Sequence, residues 1–364
     1  MVYLILYFTI AILGVGFVEK KTNENFNRIN NIEIYNSKKR TIFTFLCLAV
    51  LSIIGGMRAD SVGIDTKSYA GIYERFSYGM SVSEVRAFAT TIEYGYLYFA
   101  KAIVSICKSR FFFFGCNGLI IYYCYLTYAK KNSKDYLTSV LIFISLYYTS
   151  TFNVMRQYIS LGVMLLALQA IKDKRLLLMS VFIAISILIH HSSIIFLPGI
   201  LLYFIPNKSR NILKIELIGI LILMIIRIPS VFNKLLVVFR YNRLLNGVHF
   251  VESDSNGIMA LVYLTIVGVG LFLAWNERYH GDEEFAFNLI NTSIGAGFAL
   301  LAVKNEMFAR AGAGYLSFSI LLIPAIIDKL FNRKKDKEFV NIVLALLLGC
   351  AMYVNAGSYN YSTY

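Results

Sequence analysis

An arginine set in an apolar stretch is the first residue whose chemistry needs explaining. The segment Thr151-Phe-Asn-Val-Met-Arg-Gln-Tyr158 interrupts what is otherwise a long apolar helical hairpin. Asn153 alone could supply the turn, so Arg156 is surplus to it. A guanidinium stays charged at any relevant pH, and its fork matches phosphate oxygens two at a time. Arg156 therefore reads as an anion clamp. The plainer alternative is an arginine that snorkels to headgroups or pairs with a carboxylate.

The second stretch is Leu188-Ile-His-His-Ser-Ser-Ile195. Its flanking apolar runs have 14 and 12 residues, about 21 and 18 Å of helix against about 30 Å of hydrocarbon. The turn between them should be sunk below the membrane surface. A neutral imidazole, with an unperturbed pKa near 6.5, is the natural proton acceptor there at neutral pH. No Asp or Glu lies close in sequence to orient either ring, and the alternative is a structural histidine bonded to a neighbouring helix carbonyl. A metal would want more ligands than His190 and His191 supply, so none is expected. Further cations sit in Lys304-Asn-Glu-Met-Phe-Ala-Arg310 and in Arg240-Tyr-Asn-Arg243. Each alone can be ordinary loop charge; together they give enough positive charge for a diphosphate.

The elements that must position these groups are set by composition. The chain has 364 residues, of which 58% are hydrophobic, 15% charged and only four proline, with a mean hydropathy of +0.64. Soluble domains do not reach such values, so an all-α polytopic integral membrane protein is predicted, a single transmembrane domain over 1–364. That excludes a cytosolic enzyme, a secreted disulfide scaffold and a nucleic-acid module, despite a net charge of +14. Cys47, Cys107, Cys116, Cys124 and Cys350 form no C-x-x-C and indicate neither zinc nor disulfides. The first apolar run lacks a basic leader and a small-residue cleavage site, so no cleavable signal is expected.

Apolar runs recur from Val2 to Val354, separated by polar segments of which 19–40, 58–93 and 227–257 are the longest. They predict about 12 transmembrane helices. The run 94–107 is short and carries Lys101 at its centre, which suits an interfacial or re-entrant helix. If it does not cross, the clusters Lys130/Lys131/Lys134 and Arg333/Lys334/Lys335/Lys337 face the cytoplasm, as the positive-inside bias requires. The loops 58–93 and 227–257 are then external. Arg156, His190, Arg227, Arg240, Arg243, Lys304 and Arg310 fall on the same outer face as Arg58, Asp60, Asp65 and Glu93. Ionisable groups at membrane depth are functional by default, so the outer face is the working face. The 26 tyrosines suit interfacial belts.

The pattern resembles the EpsG-type polysaccharide polymerases, Wzy-like enzymes that join lipid-linked repeat units of O-antigen, capsule or exopolysaccharide on the outer side of the bacterial cytoplasmic membrane. The matching features run in order: Arg58 with Val62-Gly63-Ile64-Asp65-Thr66-x-x-Tyr69, then Glu93-Tyr-Gly95, then Asn153-x-x-Arg156-Gln157, then His190-x-Ser192 with Pro198. Arg310 with Tyr315 resembles a fifth. Ile64 stands where the family often has Thr, and Tyr94 where it often has Pro; neither departure removes a reactive group.

The resemblance implies transfer of a growing glycan from undecaprenyl diphosphate onto a sugar hydroxyl of the next lipid-linked unit. The leaving group already carries its charge. The protein must then hold the diphosphate, position the hydroxyl and accept one proton, with no cofactor and no metal. His190 is the implied base with Asp65 as its rival, and Arg156 acts at the reacting phosphate. Arg58, Tyr69, Glu93, Gln157 and His191 are implied substrate-binding residues, as are Arg240, Arg243, Arg310 and Tyr315. Glu93 or Glu306 could instead orient arginines. Implied partners are the undecaprenyl-diphosphate-linked oligosaccharide and the lipid bilayer, with room for a chain-length regulator and a flippase, and no nucleic acid. Two other classes stay open. A lipid-linked oligosaccharide flippase would want charge along a central path and a repeat between halves. Another membrane transferase, an O-antigen ligase or an acyltransferase, would use similar groups.

Overall fold

The computed structural model describes residues 1–17, 29–226, 234, 254–275, 281–303, 307–357 and 362. Among the described residues every regular element is a helix. Arg227, Arg240, Arg243, Lys304, Glu306 and most of the 227–257 segment lie outside them.

The protein is a helical integral membrane protein, and the predicted count of about 12 spans is not reproduced among the described residues. Among the described residues four helices are long and apolar enough to cross a membrane: Lys38–Gly56, Arg110–Asn132, Gly257–Trp275 and Glu283–Ala302. A fifth is added if Phe308–Leu316 and Ser319–Leu330, bent by 48°, form one span; Pro324 lies inside the second piece. Several other apolar runs form short or broken helices, because composition does not register where helical hydrogen bonding breaks. Val2–Phe17 and Leu176–Ile189 have 16 and 14 residues, about 24 and 21 Å. The run 136–152 passes through a π-turn at Ile144–Tyr148, and 194–205 divides into 3₁₀ and short α pieces. The helix Tyr94–Ile106 has 13 residues, about 20 Å, too short to cross.

Local chemistry sets several helix starts. Ser81 and Glu84 form a capping box for Val82–Phe88, and the Asp135 carboxylate accepts from the Thr138 amide at 3.1 Å. Lys130 and Lys131 lie in the last turn of Arg110–Asn132, where the helix dipole favours them.

The chain forms two compact units, residues 1–190 with 333–364, and residues 191–332. In the first, Ile29–Gly56 packs on Arg110–Asn132, which packs on Met155–Lys172, which packs on Leu176–Ile189. The segment 58–93 folds into two further helices, Thr66–Ser77 and Val82–Phe88, both packed against Tyr94–Ile106. Many tyrosines fill this unit's interior rather than a belt at its surface. Tyr7, Tyr96, Tyr122, Tyr125, Tyr136 and Tyr148 are fully buried. Their hydroxyls find partners there, Tyr148 donating to the Leu51 carbonyl at 2.9 Å and Tyr7 to the Ala345 carbonyl at 2.8 Å. In the second unit, Glu283–Ala302 packs on Asp254–Trp275, Lys208–Ile226 and Met307–Leu316.

Candidate functional site

Four of the sequence motifs converge within the first unit, through their backbones as much as their side chains. Gly63 adopts a φ of +90°, and a Cβ there would lie 2.8 Å from the Asn153 Oδ1. Only glycine tolerates both demands. The turn it makes lets the Ile64 amide donate to that same Asn153 oxygen at 2.7 Å. Thr66–Ser77 starts directly after Asp65 and carries Tyr69, buried at 3% exposure. The Tyr69 hydroxyl oxygen accepts from the Arg156 amide at 3.5 Å and from its Nε at 3.4 Å.

Arg156 sits in the first turn of Met155–Lys172. Its Nη1 donates to the Thr91 carbonyl at 3.4 Å and forms an ion pair with Glu93 Oε2. The Tyr96 ring lies beneath it, 6.0 Å from the guanidinium carbon, and the Tyr96 hydroxyl donates to Asn117 Oδ1 at 3.3 Å. The other Glu93 oxygen, Oε1, stands 3.0 Å from His190 Nδ1. One carboxylate thus bridges the guanidinium and the imidazole. All three side chains keep a little exposure, 15% for Arg156, 10% for Glu93 and 14% for His190, so a ligand can reach a site otherwise walled by protein.

Two close approaches fix these distances. Ser160 and Ser186, both buried, face each other with hydroxyls 2.7 Å apart, and each donates to the other's carbonyl at 2.9 Å. They hold Met155–Lys172 against Leu176–Ile189 about one turn from Arg156 and His190 respectively. On the other side, a Cβ on Gly95 would fall onto the backbone carbonyl of Leu188. Gly95→Ala must push Tyr94–Ile106 away from Leu176–Ile189, because that neighbour is backbone and cannot swing aside. A thermal melt in detergent should show a loss of about 1–3 kcal/mol, the usual cost of overpacking; an unchanged midpoint would contradict the packing described.

The structure departs from the sequence reading at several residues. Arg58 was expected to bind substrate, yet it is 1% exposed and sandwiched between Phe114 and Phe152 at 4.2 and 4.7 Å. Its Nη1 donates to the Gly55 carbonyl at 2.5 Å and its Nε to Thr66 Oγ1 at 3.4 Å. It ties the end of one helix to the start of another, with no face left for a ligand. Tyr315 is likewise occupied in the second unit, where its hydroxyl donates to the Ile195 carbonyl at 2.7 Å and its ring packs on Phe196 and Phe298. Asp65 immediately precedes Thr66–Ser77, one turn before Tyr69, and Gln157 is buried beside Arg156. His191, exposed at the head of a 3₁₀ turn, and Arg310, also exposed, belong to the second unit. Thr91, Tyr96, Asn117, Ser160 and Ser186 went unnoticed, because in sequence they look like loop or apolar-run residues. Among the described residues no group of three or more His, Cys, Asp or Glu could hold a metal.

A guanidinium, a carboxylate and an imidazole thus gather at one end of a helical unit of a membrane protein. The chain belongs to the EpsG family, whose model matches residues 40–364. It is accordingly a polysaccharide-polymerase-like membrane protein. No curated protein and no solved structure matches the chain.

Proposed function

We propose that this protein joins undecaprenyl-diphosphate-linked oligosaccharide repeat units at the outer face of the bacterial cytoplasmic membrane. Arg156 holds the donor diphosphate and His190 accepts the acceptor's proton. The acceptor hydroxyl oxygen attacks the anomeric carbon of the donor, and the bond from that carbon to the phosphate oxygen breaks. Undecaprenyl diphosphate leaves with the electron pair while the hydroxyl proton passes to His190 Nε2. The Arg156 Nη2 amino group is not engaged by Tyr69, Thr91 or Glu93, so the guanidinium has a donor to offer the phosphate without leaving its scaffold.

The observation that carries this reading is the meeting of Arg156 and His190 on one carboxylate, at the end of the unit away from its basic clusters. Lys172, which donates to Asn132 at 2.9 Å, and Lys131, which pairs with Asp173 at 3.4 Å, mark the other end. About 24 Å of helix separates Arg156 from Lys172. The positive-inside bias assigns the lysine end to the cytoplasm and so the Arg156 end to the outer side.

Purified protein in lipid vesicles, supplied with lipid-linked repeat units, should convert them into a ladder of multiples. Units that change leaflet without being joined would overturn the proposal in favour of a transporter. A single transfer onto a different lipid acceptor would replace it with a ligase.

A further inference from the structure

We propose that Glu93 is a positioning residue for the base: it holds the His190 ring in the tautomer protonated on Nδ1 and so presents the lone pair of Nε2 to the acceptor hydroxyl. This rests on the polymerase reading and deepens it, because sequence proximity offered no carboxylate for either histidine.

The geometry is particular to this residue. Glu93 occupies the position that caps Tyr94–Ile106, with extended backbone, yet its side chain does not cap that helix. The carboxylate is turned outward instead, one oxygen to Arg156 and the other to His190 Nδ1. An ionised carboxylate can only accept, so the Nδ1 facing it must carry the proton. Burial pushes the Glu93 carboxyl up, but the His190 hydrogen bond and the Arg156 charge outweigh burial and hold it down at about 2. It therefore stays ionised throughout the range in which an imidazole titrates.

Groups from several elements face this centre. Arg156 and, through it, Tyr69 come from Met155–Lys172 and Thr66–Ser77; Tyr96 comes from the carboxylate's own helix; His190 ends Leu176–Ile189. Arg156 is a fixed cation on the same carboxylate and opposes protonation of the imidazole. Glu93 is the negative charge that favours it. With Glu93 ionised, His190 is a stronger base than it would be beside Arg156 alone.

Glu93→Gln tests this. Glutamine can accept or donate, so it permits either tautomer, and it removes the charge that favours the imidazolium. In purified full-length protein given lipid-linked repeat units, kcat should fall between about 10²- and 10⁴-fold, the range that general-base assistance is worth. The acid limb of the pH–rate profile should move to lower pH, since a less basic imidazole stays neutral further into acid. The donor KM should not rise, because Arg156 keeps its charge and loses a competitor. A raised donor KM with kcat and the acid limb unmoved would overturn the proposal and assign the carboxylate to Arg156 alone. Glu93→Asp keeps the charge but shortens the reach, so it should lose rate while its acid limb stays in place; an acid limb that drops with the charge retained would also overturn it. Wild-type protein that forms no ladder at any pH would instead refute the polymerase reading, which separates the two failures.

Discussion

Arg156→Lys, although it keeps the charge, should reduce chain extension by about 10²–10³-fold, the loss that follows removal of a preorganised donor from a developing anion. The guanidinium makes its contacts with Tyr69, Thr91 and Glu93 through Nε and Nη1 alone. A lysine ammonium is one point on a flexible stem. It cannot reproduce that scaffold and also offer a second amino group to a phosphate, so it would pair with Glu93 or reach the ligand, not both. Protein abundance should stay near normal, because the site retains a cation for Glu93 and no buried charge is orphaned. Polymer length resolved by gel, alongside protein level in the same membranes, checks this. Full-length polymer from Arg156→Lys at wild-type abundance would sink the clamp. Lys334→Gln, at the basic end of the unit, should leave polymer unchanged.

His190→Ala is expected to lower the rate by about 10²–10⁴-fold, the usual worth of general-base assistance, while donor binding survives because Arg156 remains. His190 is favoured over His191 on geometry. It follows directly on Leu176–Ile189, with its amide donating back to the Ser186 carbonyl at 3.0 Å, and its ring is held 3.0 Å from a carboxylate. His191 is exposed in the next turn. Asp65→Asn is the informative partner, since Asp65 was the rival base. If Asp65→Asn stops extension and His190→Ala does not, the proton goes to the carboxylate, and the Glu93–His190 contact is structural.

The sequence announced some of this arrangement and concealed the rest for identifiable reasons. Arg156 and His190 stood out because charge and imidazole are costly in apolar surroundings, and a costly group invites a functional explanation. The Glu93–His190 contact could not be read, because 97 residues separate the two and nothing local signals their meeting. The same holds for Tyr69 and Arg156, 87 residues apart. Arg58 misled in the opposite direction. Its charge suggested a ligand, but two phenylalanine faces and a helix-end carbonyl satisfy it inside the protein. The helical class followed directly from hydropathy. The lengths of individual helices did not, because a π-turn, 3₁₀ segments and short helices break runs that composition alone counts as whole. Ser160 and Ser186 look unremarkable within their runs, and only packing shows them as the pair that sets the spacing of the Arg156 and His190 helices.

Whether one histidine accepts the proton while one arginine holds the donor is decided by measuring binding and turnover separately in the same purified protein. Equilibrium binding of the lipid-diphosphate donor and rapid-quench extension of lipid-linked repeat units should be compared in wild type, His190→Ala and Arg156→Lys. His190→Ala should bind donor as wild type does but leave single repeat units, whereas Arg156→Lys should lose donor affinity as well. A His190→Ala protein that extends chains at the wild-type rate would contradict the histidine's role.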